Sequence, residues 1–364
     1  MKFGHFCLPT FFPDVDGDAG TLMRRWLDLL AESEALGFDS LWANEHHFDP
    51  YGGIIPSPPT ILAALSQRTR KARLGTSIVV LPLHSPIEIA EQLAMVDLMS
   101  GGRVEFGIGR GFVEFDYDRL GMPREDSQER MREQLEVILK AWSGAPFTHK
   151  GRFYNYDELE VWPRPEQRPH PPVWLSCSQT PSSFEWAGRM GYSILTVAYR
   201  SVETLVANNK IYREAWAKAG HPVDKWRIAT HYHCILSENK REARDIARKA
   251  WVRYTAATTH TLERLRADQD SLKDPIRAAA ARDALDVDKM VDELRVIAGT
   301  PDEAVKLLER AQDAMGFTQC DCTFFFGGIT HEQAQRSLRL FANEVMPKLR
   351  TREPVRFQAA SVRP

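Results

Sequence analysis

Two adjacent histidines follow a short apolar run in the segment Asn44-Glu45-His46-His47-Phe48. Imidazole is the side chain whose ordinary pKa lets it give or take a proton near neutrality. At the end of a β-strand side chains alternate, so one ring faces inward and the other faces its neighbours. The inward ring is then an acid–base candidate; a hydrogen-bonded structural pair is the plain alternative. A second candidate is Gly107-Ile108-Gly109-Arg110-Gly111. Small residues let backbone N–H groups approach an anion, and Arg110 adds a bidentate charge suited to phosphate. The spacing is G-x-G-x-G rather than G-x-G-x-x-G, and Phe112-Val113-Glu114 follows, so no dinucleotide turn is indicated. A tight turn is the alternative. The third candidate, Ser176-Cys177-Ser178-Gln179-Thr180-Pro181-Ser182-Ser183, sets hydroxyls before a helix, where free N–H groups make an anion seat. A helix cap would need only one of them.

Other polar residues carry less. His231 and His233 share one strand face, but no third ligand stands at metal spacing, so they read as core or substrate-pocket residues. Cys320 and Cys322 also share a face and read as inert thiols.

These candidates must be held by regular elements. Apolar runs that predict strands cover residues 2–8, 38–44, 73–81, 103–108, 172–177, 192–197, 226–236 and 320–326, and helical patterns lie between them. Leu22, Trp26, Leu29 and Leu30 mark the first helix, and Met131, Leu135, Ile138 and Trp142 a later one. Asp126 with Glu129, and Thr300 with Glu303, are spaced as capping pairs. The alternation predicts an α/β fold, a closed (β/α)₈ TIM barrel with insertions; an open doubly wound sheet is the alternative. The expected layout is one barrel domain over 1–350 with a tail at 351–364. Insertions are expected at 143–171, read as irregular, and at 256–290, read as a lid or a solvated helical insertion. In such a barrel, chemistry sits at the carboxyl ends of strands, where all three candidates fall. Phe6, Trp42, Leu81 and Phe112 are expected to line an apolar mouth there.

Composition excludes several classes. With 47 Lys and Arg against 49 Asp and Glu in 364 residues, no broad basic field invites nucleic acid. Five cysteines with no C-x-x-C pair read as reduced thiols, and no signal peptide or membrane span is evident, so the cytoplasm is expected.

The segments KFGHF, GFDSLWANEHHF, GTSIVVLPLHSP, MSGGRVEFGIGRG, VWLSCSQTPSSFEWAGRMG, GTPDEA and LFANEVMP, taken in order, resemble the bacterial luciferase-like flavin monooxygenases. That resemblance implies a (β/α)₈ barrel, reduced FMN delivered by a separate flavin reductase, a flavin hydroperoxide formed with O₂, a small organic substrate, and a homodimer. It places the catalytic histidine at His46, with Asn44 and Glu45 beside the flavin ring. Ser77 and Ile78 fall under the ring, where relatives often have a non-prolyl cis peptide. Gly109, Arg110 and Gly111 fall at the phosphate, as do Ser176, Ser178, Gln179 and Thr180. The light-emitting subunit of the family carries a reactive cysteine where this chain has Gly109, so light emission is not expected. No metal is called for. A deazaflavin-dependent oxidoreductase on the same barrel, and a non-catalytic flavoprotein subunit, are the rival readings.

Overall fold

A computed structural model of the protein describes residues 1–48, 54–198, 201–264 and 286–353. Its strands are β1 (Lys2–Cys7), β2 (Ser40–Ala43), β3 (Arg73–Thr76), β4 (Val104–Gly109), β5 (Val173–Ser176), β6 (Ser193–Val197), β7 (Ile228–Leu236) and β8 (Gln319–Thr323). Nearly every residue of these strands is buried, as expected where helices cover one face of a parallel sheet and a barrel interior the other. Each strand pairs in parallel with the next, β8 pairs with β1, and β6 with β7, so the ring is closed. Two short strands sit at its rim: Val79–Val80 beside β4, and Ile297–Gly299 beside the far end of β7. This is the (β/α)₈ barrel expected from the alternation.

The outer helices used below are α1 (Ala19–Ala35), α2 (Pro58–Arg68), α3 (Pro86–Ser100), α4 (Ser127–Trp142), α5 (Pro181–Met190), α6 (Val202–Lys218), α7 (Pro301–Met315) and α8 (His331–Leu340). On α1, Leu22, Trp26, Leu29 and Leu30 face the sheet as their spacing predicts. Thr300 and Glu303 form the full capping box of α7. Asp126 and Glu129 do not cap α4; both carboxylates bind Arg152 instead. An exposed guanidinium across the turn outcompetes the local backbone.

The barrel interior beneath the strand ends is filled by Trp42, Trp174, Leu195 and Ala229. The two indoles meet edge to face, with centroids 5.2 Å apart. Trp42 fits because Gly75 faces it: a Cβ at that position would stand 2.0 Å from the indole. Glu105, also buried, accepts from Trp174 Nε1 at 2.6 Å and from Arg73 and Arg227, closing the amino-terminal end. Trp42 is therefore barrel filling, and Leu81 belongs to the outer core in the turn Leu81–Leu83. Neither lines the mouth, contrary to expectation.

Two segments depart from their sequence readings. The run 73–81 is not one strand: it breaks at the Ser77–Ile78 peptide, which is cis, and resumes at Val79. The excursion 143–171 is not wholly irregular, because Phe147–Lys150 and Asn155–Leu159 pair as an antiparallel hairpin. Of the expected insertion at 256–290, a helix continues through Lys240–Arg264 and residues 265–285 lie outside the described residues. Residues 354–364 of the expected tail also lie outside them.

Candidate active site

The carboxyl ends of the strands open onto a cavity of about 530 Å³, within the range of roughly 300–1,000 Å³ typical of small-molecule sites. Asn44, Glu45, His46, Ser77, Ile78, Gly109, Arg110, Gly111, Ser176, Ser178 and Thr180 all line it. Gln179 does not. It stands in the bend between Ser178 and Thr180, which do line the cavity, and its carbonyl accepts from Asn208 Nδ2 at 3.1 Å.

The end of β2 is organised by Glu45. Its Oε1 accepts from His47 Nε2 at 2.9 Å and from His84 Nε2 at 2.7 Å, and its Oε2 accepts from the Val80 N–H at 3.0 Å. Burial pushes its pKa up, but these bonds outweigh burial and hold the carboxyl below its ordinary value. Burial likewise lowers His47, and Glu45 more than restores it, leaving that imidazole raised. Among the described residues these three are the grouping whose ligand atoms lie close enough to hold a metal ion, and their mutual hydrogen bonds already use those atoms. With His47 turned to Glu45, His46 is the ring at the cavity, edge-on to Phe112 at 5.9 Å.

Next to it, Asn44 is 2% exposed, and neither its Nδ2 nor its Oδ1 has a partner among the described residues. A buried amide left open on both sides is matched to a ligand with a donor and an acceptor on one edge.

The loops after β4 and β5 meet on one side of the cavity. Gly109 leaves no room for a side chain: a Cβ there would meet Ile78 Cδ1 at 2.1 Å. Gly111 has φ +72°, which glycine adopts freely. Arg110 between them is exposed to the cavity and forms no ion pair among the described residues. Its carbonyl accepts from the Tyr117 hydroxyl, which burial keeps protonated with a pKa pushed up to about 12. Thr180 is the N-cap of α5, yet its side chain makes no capping bond. Thr180, Ser178 and Ser183 line the same cavity as Arg110.

Several lining residues lay outside the motifs and segments singled out in the sequence, among them Asp116, Tyr117 and Gln128. They come from helices and loops with no motif to mark them. His84 lay within a quoted segment, but its bond to Glu45 joins positions too far apart to be seen in spacing. His231 and His233 are buried and both line the cavity. Cys320 and Cys322 are buried, with Sγ atoms 3.7 Å apart and thiol pKa values raised by burial.

A closed (β/α)₈ barrel with a cavity at the carboxyl ends of its strands has the architecture of the barrel enzymes. The family model for luciferase-like monooxygenases matches residues 1–319, and the chain belongs to that family. It is similar to 4-hydroxyprotoasukamycin monooxygenase of Streptomyces nodosus subsp. asukaensis, 28% identical over 357 residues, which are 96% of this chain and 92% of that protein. A shorter match, 34% identical over 194 residues, is to the uncharacterized protein y4wF of Sinorhizobium fredii and spans 52% of this chain and 56% of that protein. Among solved structures, monooxygenase RslO1 from Streptomyces bottropensis superposes with a TM-score of 0.81 at 29% identity, covering 96% of this chain and 99% of that one. The coenzyme F420-dependent tetrahydromethanopterin reductase of Methanopyrus kandleri shares the fold, with a TM-score of 0.72 at 21% identity over 95% of this chain and 99% of that one.

Proposed function

We propose that the chain is the oxygenase component of a two-component monooxygenase, binding reduced FMN from a separate reductase and acting with O₂ on a small organic substrate. One observation carries this reading. Arg110, without an ion-pair partner among the described residues, and the uncapped amino end of α5 meet in the cavity that also holds the open Asn44 amide. A phosphate fits the first pair, and the donor–acceptor edge of a flavin pyrimidine fits the amide. When bound, reduced FMN supplies the electrons that activate O₂.

The chain's own residues would do the rest. Arg110, Ser178, Thr180 and Ser183 hold the phosphate. Ser77 and Ile78 support the ring from one side, and Asn44 orients its polar edge. Glu45 positions His46 by tying the end of β2 to Val80 and His84. His46 holds or moves a proton at its imidazole. Phe6, Leu8, Ile78 and Val197 keep water from the reacting region. Met95, Leu98 and Met99, exposed along α3, are the apolar face through which a homodimer would form. A cytoplasmic setting fits the buried free thiols Cys177, Cys234, Cys320 and Cys322. No helix among the described residues is long and apolar enough to cross a membrane.

The test is anaerobic titration with FMNH₂, FMN and a deazaflavin, followed by rapid mixing of the loaded protein with O₂. Preferred binding of FMNH₂, and reoxidation at a rate unlike that of free flavin, is the expected result. Tighter binding of the deazaflavin, with no reaction toward O₂, would replace the proposal with the hydride-transfer alternative.

A further inference from the structure

We propose that the cavity wall formed by β7 is a subsite for an uncharged aromatic substrate bearing a hydroxyl or keto oxygen, held by His231 and packed on Phe6. The inference rests on the flavin reading, which it deepens by naming the substrate class.

Position comes from the closed ring. Counting round the eight strands, β7 lies four places from β3, so His231 faces the Ser77–Ile78 segment across the mouth. A flavin ring supported on that segment turns its other face toward His231.

Chemistry comes from the side chains of that wall. His231 is 6% exposed, lines the cavity, and has no partner on either ring nitrogen among the described residues. Buried polar groups are nearly always bonded, so this ring is aimed at something absent from the described residues. Burial, with His233 beside it, pushes its pKa well down and keeps the imidazole neutral. A neutral imidazole presents one N–H donor and one lone pair, matching a hydroxyl in either sense and a keto oxygen through the donor.

The surroundings decide against charge and in favour of a ring. His231 lies 4.1 Å from Phe6 and 5.2 Å from His233, centroid to centroid, and Tyr254 lies 4.9 Å from His233. Leu8 and Val197 complete the wall. Among the described residues, the His231 wall of Phe6, Leu8, Val197, His233 and Tyr254 carries no carboxylate, lysine or arginine to offset a ligand charge. Flat aromatic surfaces at these spacings take up another flat ring by edge or offset contact.

The experiment measures binding of 2-naphthol, naphthalene and 2-naphthoate by ligand fluorescence, on the FMN-loaded protein and, in parallel, on the flavin-free protein. 2-Naphthol should bind ~3–10-fold tighter than naphthalene, the effect of one neutral hydrogen bond. 2-Naphthoate should bind more weakly than either. His231→Phe should make naphthol and naphthalene equal, while His231→Gln keeps the preference. Equal binding of naphthol and naphthalene by the unaltered protein, tighter binding of naphthoate, or a preference that survives in His231→Phe would overturn the proposal. The three-ligand comparison on the unaltered protein decides the matter even if His231→Phe fails to fold. Failure of FMN to bind, with the naphthol preference intact in the flavin-free series, would overturn the flavin reading and leave the subsite standing.

Discussion

Glu45 Oε1 accepts a hydrogen bond from His84 Nε2 at 2.7 Å, joining residues 39 positions apart, and the same oxygen accepts from His47. That contact fixes the strand end carrying His46 to the segment that follows Ser77–Ile78. Removing the charge from a buried, multiply bonded carboxylate leaves its partners unsatisfied. Glu45→Gln is expected to lower stability by about 2–4 kcal/mol. A denaturant titration checks this: the midpoint should fall with its slope unchanged, and an unmoved midpoint would remove Glu45 from its positioning role.

The bond between His47 and Glu45 predicts a pH dependence. The pKa of His47 is raised above 6.5, so its contribution is complete below pH 6.5 and is lost as pH rises through the folded value. The pKa of Glu45 is lowered below 4.5, so its contribution is complete above pH 4.5 and is lost as pH falls through the folded value. Both are present between those limits. The stability deficit of His47→Gln should therefore be greatest between about pH 4.5 and 6.5 and shrink above that window. Thermal melts across a pH series measure it, and a deficit that grows from pH 7 to 9 contradicts the assignment.

The barrel was legible because each strand is an apolar run buried on both faces and set off by glycine or polar residues, as in 103–108 and 192–197. The site loops were legible for a related reason: chemistry gathers at strand ends, and Asn44–His46 and Gly109–Gly111 follow such runs directly. The hairpin was not, since its strands are short and carry exposed polar residues such as Lys150, Asn155 and Glu158, with no alternation to announce them. Long-range partners were hidden as well. Nothing near Glu45 announces His84, and nothing near Asp126 shows that Arg152 will take its carboxylate from the helix end. Gln179 lies off the cavity for a local reason: a motif names consecutive residues, whereas the bend at 178–179 brings Ser178 and Thr180 to the cavity without it.

If Arg110 holds the phosphate, as proposed, its removal should discriminate between flavins. Arg110→Ala is expected to weaken FMN by ~10–100-fold, the range for hydrogen bonds to a charged group, while riboflavin binding changes little. Parallel titrations by flavin fluorescence make the comparison. Equal weakening of both ligands would place Arg110 elsewhere than at the phosphate.

His46 is the ring left facing the cavity once Glu45 has claimed His47, and this separation of roles can be tested directly. His46→Ala should keep FMN binding, because the phosphate grip and the Asn44 amide are untouched. Oxygenation of an identified substrate should fall by ~10²–10⁴-fold, the usual loss for an acid–base group. His47→Ala should instead act mainly on stability, through the uncompensated Glu45 carboxylate. Steady-state turnover and denaturation midpoints on both variants separate the two roles. If turnover falls only in His47→Ala, proton transfer belongs to the Glu45 cluster, and His46 is part of the wall.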